Sequence, residues 1–73
     1  MCLSNARPGQ FIEIISIPDP DVKAQAIRFG IYEGAKVKCS EVINSGPVIL
    51  QNRMQEIAVG HNLAKKIKIK LVS

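Results

Sequence analysis

The chain has no tryptophan, one tyrosine and two phenylalanines in 73 residues, and only one histidine and two cysteines. Each scarcity removes a class of function. With His61 as the lone imidazole there is no His-Glu-x-x-His motif and no pair of histidines at metal-binding spacing. No Gly-x-Ser-x-Gly elbow or phosphate loop ending in Lys-Ser/Thr is present, so the familiar hydrolase and nucleotide-binding signatures are missing. Cys2 and Cys39 are too few for a disulfide framework, which points to a reducing cytoplasm. Arg7-Pro8-Gly9 interrupts the N-terminal region, so no signal peptide is expected. Apolar runs are only a few residues long, against the roughly 20 that a membrane helix needs. Any membrane association is therefore expected through a partner.

The length sets a second limit. One domain over residues 1–73 is expected, and a domain of roughly 60 residues buries only about 60% of its unfolded surface. A deep site of roughly 300–1,000 Å³ is hard to frame around so small a core. A binding or regulatory module fits better than an enzyme. Ten Lys and Arg against six Asp and Glu give a net charge of +4. Every acid lies at or before Glu56, whereas Lys65, Lys66, Lys68 and Lys70 crowd the C-terminal end.

What is present is a succession of short β-like segments. After the Pro8-Gly9 turn, Phe11 to Ile17 is β-branched and ends at Pro18-Asp19-Pro20. Ile12 and Ile14 fall on one face, and Phe11, Ile15 and Ile17 on the other, which predicts a bulge or a strand covered on both sides. Asp19 and Asp21 are N-cap candidates with Pro20 early in the helix; turn and cap roles explain them better than acid/base chemistry. Val22, Ala26 and Phe29 then repeat at helical spacing up to Gly30, which suits a helix end needing positive φ. Residues 35–42 alternate, with Val37 and Cys39 inward and a register change expected near Val42-Ile43. Strands are predicted at 48–52 and 54–59, a helical turn at 60–65, and a last strand over 66–71 with Ile67, Ile69 and Leu71 inward. The pattern predicts a mainly β protein with one or two short helices: a small SH3-like β-barrel of about five strands.

Two chemistries can be weighed on this frame. Cys2, Cys39 and His61 are ligands of the right type for a divalent transition metal ion, but Cys39 is better read as a small apolar residue that fills the core from an inward strand position. Nucleic-acid binding would use Arg7, Arg28, Arg53 and the lysine face of the last strand. It is disfavoured because Phe11 and Phe29 are wanted in the core and the alternating lysines suffice as protection of a strand edge.

The order Leu3…Pro8-Gly9, then Ala26-Ile27-Arg28-Phe29-Gly30-Ile31-Tyr32-Glu33-Gly34-Ala35-Lys36-Val37, then Gly46-Pro47-Val48, with an ending from Ile57 to Ile69, resembles the FeoA family of ferrous-iron transport accessory proteins along essentially the whole chain. It departs from the family pattern where Glu33 replaces a common proline, and at Gln25 and Arg28, where an arginine and an acid are frequent. The resemblance implies an SH3-like barrel, without enzymatic activity, that assists the ferrous-iron transporter FeoB, docking on or near its GTP-binding cytoplasmic region. The protein would be cytoplasmic, peripheral to the inner membrane through that partner. Lys23, Arg28, Ile31, Tyr32 and Glu33, on the helix and the turn after it, are the expected partner contacts. A similar domain ends iron-dependent repressors of the diphtheria-toxin-repressor type; a metal-sensing role of that kind expects a DNA-binding segment that residues 1–73 do not contain. Exposed edges also make weak self-association an expectation.

Overall fold

A computed structural model describes residues 1–72. The strands are β1 (Phe11–Ser16), β2 (Lys36–Val42), β3 (Val48–Asn52), β4 (Gln55–Val59) and β5 (Lys68–Leu71). Two helices interrupt them: α1 (Pro20–Ile27) between β1 and β2, and α2 (His61–Ala64) between β4 and β5. All pairings are antiparallel, in the order β4-β3-β2-β1-β5. Strands β2, β3 and β4 form a meander, and β5 returns to the far side of β1. Register shifts fall between Ile14 and Ser16 and between Cys39 and Glu41. Such irregularities bend and twist a sheet, and the first explains how Ile12, Ile14 and Ile17 are all buried although strict alternation would separate them. The second lies before the Val42-Ile43 position expected from sequence, because Pro47-Val48 already fixes the far end of the β2–β3 pair.

Asp19 caps α1 as its position predicts, its Oδ1 accepting from the Asp21 and Val22 amides at 2.9 and 3.4 Å. The helix starts two residues earlier than the apolar spacing suggested, because Pro20 already has a helical φ and needs no amide partner at that position. At the other end the Gly30 amide bonds the Ile27 carbonyl and the Ile31 amide bonds the Ala26 carbonyl, both at 3.0 Å, with Gly30 at φ +80°. This glycine closure satisfies the last carbonyls and folds the chain back on the helix. No residue of α1 is fully buried; Val22 and Ala26 pack against the core from its flank.

A short 3-10 turn at Leu3–Asn5, which the sequence reading did not anticipate, completes the core. It is stitched to the other terminus by bonds from Leu3 N to the Ile67 carbonyl and from Ile69 N to the Met1 carbonyl, each 2.8 Å.

The core is entirely aliphatic apart from Cys39: Leu3, Ile12, Ile14, Ile31, Leu50 and Ile67 are its largest fully enclosed members. Each such side chain contributes roughly 1.5–3 kcal/mol by leaving water. Phe11 and Phe29, expected inside, are instead 51% and 49% exposed. Phe11 lies on the strand face opposite to Ile12 and Ile14, and Phe29 lies beyond the last turn of α1. Leu71 keeps core-facing register opposite Ile12, but it ends an edge strand and is left 46% exposed. Lys66 and Ile67 precede β5 rather than belonging to it, since the Lys66 amide is used by the α2 turn.

Candidate partner-docking site

The helix closure at Gly30 decides which side chains of the following turn can meet a partner. Ile31, expected as a contact, is 2% exposed because the bond from its amide to Ala26 directs it into the core. Tyr32 comes next and is 50% exposed. Glu33 turns back: its Oε2 accepts the Ile17 amide at 3.0 Å and its Oε1 the Lys23 ammonium at 2.9 Å. These bonds, the Ile17 amide above all, hold the Glu33 carboxyl below the ordinary glutamate range. Lys23 and Glu33 are thus partners of each other, while Arg28 and Tyr32 remain available.

Arg28 and Tyr32 border a groove of about 570 Å³ that also receives Phe29, Lys36, Arg53 and Met54. Its floor is organised by Asn52, whose Nδ2 donates to the carbonyls of Phe29 and Gly30 at 3.4 and 3.2 Å. That amide ties the end of β3 to the end of α1, and a Cβ on Gly30 would collide with it. Arg53 and Met54 connect β3 to β4; Arg53 has φ +61° and Met54 is 98% exposed. A side-chain-bearing residue in left-handed backbone costs roughly 1–2 kcal/mol.

An adjoining recess shares Tyr32, Lys36 and Arg53 and extends to Phe11 and Lys38. Phe11 lies directly across from Lys38 in the β1–β2 register, and the Lys38 ammonium stands 5.9 Å from its ring centroid. Phe29 also borders a smaller apolar crevice of about 120 Å³ between α1, β4 and α2, which Tyr32 does not line. All three aromatics of the chain therefore reach the surface, and Phe29 separates a cationic groove from an apolar one. Sequence reasoning missed Lys36, Lys38 and Met54, and singled out Arg53 only for nucleic-acid binding. The outward alternation of the two lysines was visible, but their proximity to Phe11 and Arg53 depends on strand register.

The metal-ligand candidates occupy different settings. Cys39 is fully enclosed in the core, where burial pushes its thiol pKa up. Cys2 caps the N-terminal turn with Sγ 3.0 Å from Ser4 Oγ and 2.9 Å from Asn5 Oδ1, and the Ser4 contact chiefly lowers its pKa. His61 opens α2. Among the described residues no three His, Cys, Asp or Glu side chains gather into a set that could hold a metal. Cys39 sits where its core-filling reading put it, its inward strand position sealing the sulfur among aliphatic side chains and away from any ligand role at the surface.

Five antiparallel strands with two short helices define a small SH3-like domain. The FeoA domain model matches residues 1–71, and the chain belongs to the FeoA family. Its likeness to solved structures covers nearly the whole molecule. The crystal structure of an iron uptake regulatory protein (FeoA) matches with a TM-score of 0.86 at 22% identity, over 99% of this chain and 97% of that one. The solution structure of the FeoA protein from Chlorobium tepidum matches with a TM-score of 0.86 at 23% identity, over 100% of this chain and 71% of that one. ScaR with bound Cd2+ matches at 0.83 and 18% identity, over 96% of this chain but 35% of ScaR. At these identities the likeness is one of fold. No curated protein matches the sequence. Membership of the family supports an accessory role in ferrous-iron transport. No helix among the described residues is long and apolar enough to cross a membrane.

Proposed function

We infer that this chain is a non-enzymatic accessory of ferrous-iron uptake that works in the cytoplasm by docking on the GTP-binding cytoplasmic region of a FeoB-type transporter. One observation carries the reading beyond family membership: the chain keeps its core aliphatic and presents every aromatic at the surface. Aromatic residues, Met and Arg are enriched at protein interfaces, and Phe29, Tyr32, Met54, Arg28 and Arg53 share one groove here. Folding uses none of these side chains as a fully buried core member, so their placement is free to serve a partner. Deleting the gene should impair ferrous uptake at limiting iron, and the purified chain should retain the transporter's cytoplasmic region in a pull-down. Normal uptake in the deletion strain together with no retention would refute the reading.

A further inference from the structure

Lys36, Lys38, Arg28 and Arg53 line the two connected recesses around Tyr32, and no Asp or Glu lines either of them among the described residues. None of these four cations forms an ion pair within the described residues. Lys23 and Lys70, outside the recesses, pair with Glu33 and Glu13. Among the described residues, the two recesses thus gather four unpaired cations around Tyr32 with no acidic side chain in their lining. Across Phe29 the character of the surface reverses. The crevice there is bounded by Val22, Ala26, Ile57, Val59 and Leu63, and an aliphatic or small aromatic side chain is the group such a space accepts; an apolar cavity of roughly 150 Å³ accommodates benzene.

We propose that this composite surface binds an acidic peptide segment of the partner, its carboxylates in the Tyr32 groove and one aliphatic or aromatic anchor in the crevice behind Phe29. The proposal rests on the docking role inferred above and specifies the chemistry of what docks. Charge complementarity selects the acidic segment, and the adjoining apolar crevice selects a peptide over a nucleic acid. Arg53 has a particular place in this scheme. Its left-handed backbone is a local cost, and it sets a guanidinium at the lip of the groove beside a fully solvated Met54.

The test uses the full chain and a labelled peptide of about a dozen residues, rich in glutamate with one central leucine. Three comparison probes complete it: the same peptide with alanine for leucine, a lysine-rich counterpart, and a thymidine oligonucleotide of similar length. The acidic leucine peptide should bind, with NMR shift changes at Tyr32, Phe29 and Leu63. Alanine for leucine should weaken it about tenfold, and the lysine counterpart should not bind. Arg53→Asn with Lys36→Gln should weaken it by a further roughly tenfold factor; Asn tolerates left-handed backbone, and unchanged melting would show that the fold is intact. Equal binding by both charge types, indifference to the leucine, or tighter binding by the oligonucleotide would overturn the proposal. Retention of the transporter region by wild type and double variant alike would overturn this surface and leave the docking role standing. Peptide binding with no retention of the transporter region would instead refute the docking role alone.

Discussion

The Glu33 carboxylate joins Lys23 of α1 to the end of the first strand, one oxygen on the Lys23 ammonium at 2.9 Å and the other on the Ile17 amide at 3.0 Å. Where the family commonly places a proline, this chain fixes the turn with a charged tether between two elements. The Ile17 amide follows a strand broken by Pro18 and needs an acceptor from outside the sheet; Glu33 supplies it.

The Glu33 tether should make stability depend on pH. Its carboxyl titrates lower in the folded protein than in the unfolded chain. The stabilisation is then complete above the unfolded glutamate value, about 4.3, and is lost as pH falls through the lower folded value. Glu33→Gln should melt at a lower temperature than wild type at neutral pH, and the two melting curves should converge in acid. Parallel pH profiles would show that the carboxylate charge contributes nothing.

Gly30 and Asn52 should be energetically coupled. Gly30→Ala forces a side chain into left-handed backbone, for roughly 1–2 kcal/mol, and also drives its Cβ into the Asn52 amide. Asn52→Ala removes that obstacle together with two carbonyl bonds. In a double-mutant cycle by urea denaturation, the pair should cost less than the sum of the singles.

Replacing surface aromatics should barely disturb the fold. Phe11→Ala, Phe29→Ala and Tyr32→Ala are expected to cost about 1 kcal/mol or less, because each ring is half in water. Ile14→Ala, at a fully enclosed position, should cost roughly 2–5 kcal/mol. Equilibrium unfolding of the four variants checks the contrast, which would reverse if rings formed the core.

The two thiols should differ in reactivity. Cys2 is partly exposed with a lowered pKa, whereas Cys39 is enclosed and its pKa is raised. A colorimetric thiol reagent should modify Cys2 promptly at neutral pH and reach Cys39 only on unfolding. Cys39→Ser should be less stable than Cys39→Ala, since a hydroxyl buried without a partner costs roughly 1–3 kcal/mol.

Much of the fold is legible in local pattern. Alternation at Val37 and Cys39, the Asp19 cap and the glycine closing α1 each report a local preference, and local preferences are written in consecutive residues. Ile31 shows where this stops. Its neighbours suggest an exposed turn, yet a bond back to Ala26 settles its burial. Phe11 shows the same limit in another form. The sequence correctly separated it from Ile12 and Ile14, but so small a core was expected to need its ring, and only the sheet reveals which face the core occupies. The candidate groove was half visible: Arg28 and Tyr32 lie on the turn already singled out, whereas Lys36, Lys38 and Arg53 reach it and its adjoining recess through pairings between strands that are distant in sequence.

An aliphatic core also leaves the protein's interior optically silent. Near-ultraviolet circular dichroism and tyrosine emission arise from rings, and the rings here line the exposed recesses rather than the packed centre. The lone Tyr32, with no tryptophan to mask it, is thus a native reporter of what enters the groove, and its signal reads occupancy where in most proteins it would read packing.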